Sequence, residues 1–349
     1  MFCKPTWLPG RRGALENAWQ GRDRRWSNAR VEISPNREAA PAVDPWPGYF
    51  TDLGHPGARR IGAGVEGVVY GLGDGRVAKV WTGRPPTELT RQVYADIARN
   101  RLPFATPEIF EVQEHEGIVV TYERELPGVP MRGDSAHEEF ERELSVRHRT
   151  GLLAVLRGLV SVPGTDAMRQ LTVQGDDRPL WQGQDRFQDA LAALVTRAVA
   201  RHGAKLAAHV LDFDAGLERT LNALELLPDV PATAIHGDLV PPNIHVDAAG
   251  QPVAVLDFGF YTTAGDPAFE AAITAAIWDM YGPHAREHTA ELTQLFAQEL
   301  GYAPATLAAY QAAYALTTYD LFGMGDNDGH FPWCAEQLRR NSVFSVHAS

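Results

Sequence analysis

The feature that most constrains this chain is a run of polar residues spaced for convergence. His236-Gly237-Asp238-Leu239-Val240-Pro241-Pro242-Asn243 is followed, fourteen residues after the asparagine, by Asp257-Phe258-Gly259. Between them, Ile244 and Val246, then Val253 and Val255, alternate on either side of Asp247-Ala248-Ala249-Gly250, which predicts a hairpin. Such a hairpin folds Asp257 back towards Asn243. One carboxylate, one amide and a second carboxylate therefore meet at one place, whatever the rest of the fold.

Two upstream elements give that meeting point a partner. Gly62-Ala63-Gly64-Val65-Glu66-Gly67-Val68-Val69-Tyr70 is a GxGxxGxV loop, a spacing shared with dinucleotide-binding folds in which the third glycine opens a helix. Here strand-like residues follow Gly67, and Gly73-Asp74-Gly75 signals another hairpin, so the loop lies between two strands. A glycine loop in that setting covers nucleotide phosphates. Twelve residues on, Val77-Ala78-Lys79-Val80 sets Lys79 in an apolar strand, where an unpaired ammonium is costly and an anionic partner is required. Pro85-Pro86 opens a helix predicted to run to about Asn100, with Leu89, Val93 and Ile97 on its apolar stripe. Its only acids are Glu88 and Asp96. Glu88 is taken as the counter-ion of Lys79, with Asp96, nearer the stripe, as the alternative.

Phosphoryl transfer from a nucleoside triphosphate needs a carboxylate to orient the attacking hydroxyl and accept its proton, and oxygen ligands for magnesium. Asp238 fits the first role; Asn243 and Asp257 fit the second. His236 reads as a brace for the loop and His245 as a hairpin side chain.

These residues together resemble the aminoglycoside phosphotransferase and choline kinase superfamily, the small-molecule branch of the protein-kinase-like fold. His236-Gly237-Asp238 is similar to that family's HGD, and Gly265-Asp266-Pro267-Ala268-Phe269-Glu270 to its GDPxxD, with Glu270 where many members have Asp. The resemblance covers about residues 55–345. It implies an α+β, two-lobed fold, with a β-rich nucleotide-binding lobe at 49–124 and a helical catalytic and acceptor-binding lobe at 125–349. It also implies ATP or GTP as donor, with Gly62, Gly64, Gly67 and Lys79 on the phosphates and backbone groups near Thr121–Glu125 on the base. Mg2+ would be held by Asn243 and Asp257, and a hydroxyl of a small molecule would be the acceptor. Only five residues separate Gly259 from Gly265 and no APE triplet follows, which leaves no room for the segment that positions peptides. A protein substrate is not expected.

Composition bounds the rest. The chain has 349 residues and a formal charge of −12, from 44 acidic against 32 basic residues, which argues against covering nucleic-acid phosphates. Residues 1–42 carry eight basic and four acidic residues with no helical or strand period, and 1–48 is read as a basic, disordered arm. Cys3 and Cys334 are the only cysteines and offer no disulfide framework or zinc knuckle, which suits a cytoplasmic protein. No stretch approaches the roughly 18–20 apolar residues of a membrane span. Helices are predicted at His137–Leu159, Gln184–His202, Asp214–Leu227 and Pro267–Gly282, and from Arg286 to the end. Between Thr262 and Ala335 lie Asp266, Glu270, Asp279, Glu287, Glu291, Glu299, Asp320, Asp326 and Asp328, with Arg286 the one basic residue. An acidic pocket there would favour an aminoglycoside-like, antibiotic-type acceptor. A solvated acidic surface is the alternative, as are a metabolite kinase (choline, homoserine, sugar or fructosamine type) and a nucleotide-binding scaffold without turnover.

Overall fold

The structure is a computed structural model and describes residues 44–346, except 65, 84, 132–141 and 322–328. The chain enters through a short helix, α1 (Trp46–Asp52), whose Phe50 is wholly buried. Residues 46–48, assigned above to a structureless arm, thus belong to the folded lobe; 1–43 lie outside the described residues. The reason is local: Pro47 suits the first turn of a helix, and the aromatic residues Trp46, Tyr49 and Phe50 have a sheet to cover.

That sheet contains β1 (Arg59–Ala63), β2 (Gly67–Gly71), β3 (Arg76–Trp81), β4 (Ile109–His115) and β5 (Ile118–Arg124). They pair antiparallel in the order β1-β2-β3-β5-β4. Side chains alternate between the two faces. On one face Tyr70, Ala78, Val80, Val120 and Tyr122 pack with Phe50 into the small-lobe core. On the other, Val69, Lys79 and Thr121 lie directly across from one another on β2, β3 and β5. The lysine therefore occupies the face that α1 does not cover.

Between β3 and β4 runs α2 (Glu88–Ala98), started by a reciprocal cap in which Thr87 and Thr90 satisfy each other's backbone amides. Its Val93, Tyr94 and Ile97 join the core of the large lobe. A further tie is the Ala105 backbone, which bonds to Val253 and Val255.

The large lobe begins with β6 (Val129–Pro130), α3 (Val146–Val160), α4 (Asp166–Arg169), α5 (Phe187–Ala207) and α6 (Phe213–Leu226). Next come β7 (Thr233–Ile235), β8 (Ile244–Val246), β9 (Pro252–Val255) and β10 (Thr263–Gly265), then α7 (Pro267–Ile277), α8 (Ala285–Leu300), α9 (Pro304–Thr318) and α10 (His330–Arg340). The chain after Arg286 is three helices, because Gly301, in the left-handed conformation, caps α8 and Pro304 opens α9. The helix expected from His137 starts instead at Val146, capped by the Ser145 side chain; 137–141 lie outside the described residues. Every residue of α7 from Ala268 to Ile277 is buried, so this helix forms the centre of the lobe. Two small sheets bring the polar segments together: β7 pairs with β10, and β8 pairs with β6 and β9.

Candidate active site

The predicted hairpin is β8–β9, with Ile244 opposite Val255. Asp247 organises its turn by accepting from the amides of Ala249 and Gln251 at 2.8 and 2.9 Å. At its base the Leu256 amide donates to the Asn243 carbonyl at 2.8 Å, which brings the end of β9 back beside the start of β8. Asn243 donates its side-chain amide to the Asp238 carbonyl at 2.9 Å and to the Asp238 carboxylate at 3.3 Å. The amide nitrogen faces Asp238, so the amide oxygen remains as a donor to a hard cation. Asp257 has an exposed carboxylate and a left-handed backbone, φ 56°, a conformation that costs a non-glycine residue energy and is common where a site dictates geometry. Among the described residues no group of three or more His, Cys, Asp or Glu could hold a metal. The oxygen pair from Asn243 and Asp257 instead suits magnesium, which completes its shell with water and phosphate.

The loop bearing Asp238 is held from behind. Glu270, on the first turn of α7, is buried and accepts from the amides of His236 and Gly237 at 2.6 and 3.0 Å. His236 Nε2 meets the Leu256 carbonyl at 2.6 Å, and its Nδ1 accepts from the Asp238 amide at 3.1 Å. Burial lowers the His236 imidazole to about 4, so it is neutral and serves as a brace. Gly237, at φ 81°, has no room for a Cβ, which would fall 2.5 Å from the Tyr261 side chain. Burial, with the Asp257 and Glu66 charges adding to it and the Asn243 bond opposing it, pushes the Asp238 carboxyl up to about 7. A carboxyl of that basicity is matched to taking a proton near neutrality.

Lys79 reaches this group from the small lobe, its Nζ 3.4 Å from Asp257 Oδ1. Burial works to lower the lysine, but the Asp257 and Glu66 carboxylates outweigh it and hold the ammonium above its ordinary value. The Trp81 ring lies 4.1 Å below the charge.

The pairing expected from α2 is not what the structure contains. Glu88 pairs with Arg91 at 3.0 Å and Asp96 with Arg99 at 2.6 Å, both within the helix. Lys79 is paired at 2.8 Å with Glu66, inside the glycine loop itself. The physical reason is position: Glu88 is the first residue of α2 and points to solvent, 81% exposed, whereas Glu66 precedes the strand that lies against β3. What α2 supplies is Tyr94, whose hydroxyl donates to the Phe258 carbonyl at 2.8 Å. Tyr94 sits next to the apolar stripe in the sequence and looks like core; nothing local marks its hydroxyl.

The three glycines play different parts. A Cβ on Gly67 would lie 2.2 Å from the Val80 carbonyl oxygen, so β2 can approach β3 only without one. At Gly62, within β1, and at Gly64, just after it, a Cβ would meet nothing within 4 Å among the described residues.

The acidic tract is occupied by structural work. Asp266 caps α7 and accepts from the Tyr310 hydroxyl at 2.7 Å; Asp279 meets His288 at 3.0 Å. Glu287, Glu291 and Glu299, along α8, face Arg142, Arg149 and Arg157 at 3.6, 3.0 and 3.3 Å. Asp320 lies 3.6 Å from His202. Asp326 and Asp328 are outside the described residues. The described acids of the tract thus have partners within the chain, and the arginines that pair with Glu287, Glu291 and Glu299 precede the tract in sequence. Beside these acids, Tyr319, Phe331 and Trp333 are buried.

Against known proteins, the family profile described as Phosphotransferase enzyme family (APH) matches residues 57–321. No curated protein matches the chain in sequence. Among solved structures, the fold is similar to that of a thermostable mutant of aminoglycoside phosphotransferase APH(4)-Ia in complex with ADP and hygromycin B, with a TM-score of 0.57, 19% identity, and 84% of this chain and 94% of that one covered. It is also similar to macrolide 2'-phosphotransferase MphH from Brachybacterium faecium (TM-score 0.51, 19% identity, 84% and 98% covered). A third similar structure is APH(2")-IIIa with GDP and kanamycin (TM-score 0.51, 13% identity, 87% and 97% covered). The two-lobed architecture expected from the sequence is the architecture of these enzymes. Among the described residues, no helix is long and apolar enough to cross a membrane.

Proposed function

The chain belongs to the phosphotransferase enzyme family, and from that premise we propose that it transfers the γ-phosphoryl group of ATP or GTP to a hydroxyl of a small, antibiotic-type molecule. The observation that carries this reading is the convergence of Lys79, Asp257, Asn243 and Asp238 from two lobes onto one cleft, with Asp238 basic enough to take a proton near pH 7. In it, Lys79 holds the phosphates and the glycine loop at Gly62 and Gly64 covers them. Asn243 and Asp257 would hold magnesium, which neutralises the charge of the triphosphate. Asp238 orients the acceptor hydroxyl in line with the γ-phosphorus and accepts its proton as the new oxygen–phosphorus bond forms and the bond from the γ-phosphorus to the β-γ bridging oxygen breaks, releasing ADP or GDP. The brace of Glu270 and His236 keeps that carboxylate in place, so no covalent phosphoenzyme is needed.

An antibiotic acceptor is supported by the similar structures, whose descriptions include hygromycin B, kanamycin and a macrolide phosphotransferase. The described acids of the tract, being partnered within the chain, do not add to it. The test is a magnesium-dependent ATP and GTP consumption screen over aminoglycosides, macrolides, choline, homoserine, sugars and fructosamines, with Asp238→Ala alongside. The expected result is turnover on an antibiotic, lowered at least about 100-fold by Asp238→Ala with nucleotide binding retained. Turnover confined to a metabolite would overturn the acceptor class. Tight MgATP binding with no turnover on any acceptor would favour a scaffold.

A further inference from the structure

The glycine loop of this chain carries its own anion into the cleft. Glu66 Oε2 lies 2.8 Å from Lys79 Nζ. Its other oxygen reaches the Asp257-Phe258-Gly259 segment, 3.2 Å from where a Cβ on Gly259 would stand. The same carboxylate is among the negative charges acting on Asp238. Glu66 therefore lies between the lysine and the segment that carries Asp257. That is the volume a transferable phosphoryl group would fill.

The backbone of Glu66 is fixed while its side chain is not. Its carbonyl accepts from the amides of Thr82 and Gly83 at 2.9 and 3.1 Å, which pins the residue to the end of β3. The side chain is 46% exposed, and among the described residues its ion pair is with Lys79. Rotation about its own bonds can carry the carboxylate out of the cleft without disturbing the sheet. No acid of α2 competes for the lysine, since Glu88 and Asp96 are paired within that helix.

We propose that Glu66 is an internal stand-in for the nucleotide's phosphates, which pairs with Lys79 in the empty enzyme and is displaced when the triphosphate arrives. The inference rests on the nucleotide-site reading above and adds a device to it. A lysine in a buried strand needs anions about it, and between turnovers Glu66 supplies the nearer of two, at 2.8 Å against 3.4 Å for Asp257. An ammonium can hold a carboxylate and a phosphate at once, but the Glu66 carboxylate lies between Lys79 and the Asp257-Phe258-Gly259 segment, in the space the phosphates need, so nucleotide binding and this placement of Glu66 exclude each other. If the paired state holds about nine molecules in ten, the apparent affinity for the triphosphate is lowered about tenfold. The base, which does not reach Lys79, is unaffected.

The experiment is calorimetric titration of the full chain and of Glu66→Gln and Glu66→Ala with MgATP, with tripolyphosphate and with adenosine, after thermal melts confirm folding. The expected result is a roughly tenfold lower Kd for MgATP and for tripolyphosphate in both variants, and an unchanged Kd for adenosine. Unchanged or weaker binding of the two phosphate ligands would overturn the proposal and show that Glu66 positions Lys79 instead of competing for it. An equal gain for adenosine would overturn it too, by showing that the loop obstructs the whole cleft. If none of the proteins binds MgATP, the nucleotide-site reading itself fails, which the wild-type titration alone reveals.

Discussion

The Tyr94 hydroxyl donates to the Phe258 carbonyl at 2.8 Å, joining a helix of the small lobe's connection to the segment that carries Asp257. Both residues are buried. Asp257 is next in the chain and holds a left-handed φ of 56°, so the bond fixes one end of a strained peptide. Tyr94→Phe keeps the ring and removes the donor, leaving a buried carbonyl unpaired. The cost expected is about 1–3 kcal/mol in denaturant unfolding. The variant should also lose kcat several-fold with little change in acceptor KM, because the group it loosens, Asp257, is the one proposed to hold magnesium on the donor side. Unaltered unfolding and kinetics would mean that the bond contributes nothing.

Glu270 gives the site a pH signature. Burial raises its carboxyl from the ordinary 4.5 to about 7, and the His236 and Gly237 amides oppose that rise without cancelling it. The folded protein therefore binds this proton more tightly than the unfolded chain does. Between about pH 4.5 and 7 the contribution of Glu270 to stability falls as pH rises, by about 3 kcal/mol in all. His236, lowered from 6.5 to about 4, acts in the opposite sense, its neutral form favouring the fold as pH rises through that interval. Comparing Glu270→Gln with wild type isolates the first effect, since glutamine keeps an accepting oxygen and cannot ionise. The variant should gain stability relative to wild type as pH rises from 5 to 7.5, read by urea unfolding at each pH. A constant difference across that range would show that Glu270 does not titrate there.

Much of this was legible in the chain because the informative signals were local. Asp238, Asn243 and Asp257 stand within one hairpin and its flanks, and the hairpin's alternation is written in Ile244, Val246, Val253 and Val255. Lys79 could be placed because its strand is otherwise apolar. The counter-ion could not, because a charge on α2 and a charge on the glycine loop are equally good candidates until the helix's rotation is known. Glu88 faces water and Glu66 faces the lysine, a difference of packing that no spacing records. The acidic tract misled for a related reason: Glu287, Glu291 and Glu299 look unbalanced in sequence, yet arginines more than a hundred residues earlier meet them across α3 and α8.

That meeting predicts what α8 does not do. Glu287 and Glu299 are half exposed and paired with Arg142 and Arg157, so neutralising them removes surface ion pairs. Glu287→Gln combined with Glu299→Gln should leave the midpoint of denaturant unfolding nearly unchanged. If an aminoglycoside proves to be the acceptor, its KM should stay within about twofold of wild type, where removal of a contacting carboxylate would cost far more. A large rise in KM confined to polycationic acceptors would restore these acids to the acceptor pocket.

The three glycines of the loop, indistinguishable in the sequence, should separate under substitution. In Gly67→Ala the new methyl would stand 2.2 Å from the Val80 carbonyl oxygen and 3.2 Å from Trp81 Cα. Both are backbone atoms, so no side chain can rotate aside, and β2 must draw away from β3 where the strand pair is in register from Gly67–Trp81 to Gly71–Val77. The expected loss is about 1–3 kcal/mol, with a lower Tm and weaker MgATP binding as Lys79 shifts with its strand. At Gly62 and Gly64 the methyl meets nothing and the backbone is not left-handed, so stability should change by no more than about 0.5 kcal/mol. Their effect should appear only with nucleotide present, as a higher KM for MgATP at an unaltered Tm, because in the proposed site the glycine loop covers the phosphates. Equal melting of all three variants would place Gly67 outside the strand contact assigned to it. Equal MgATP affinity of Gly62→Ala, Gly64→Ala and wild type would remove the loop's tip from the phosphate site.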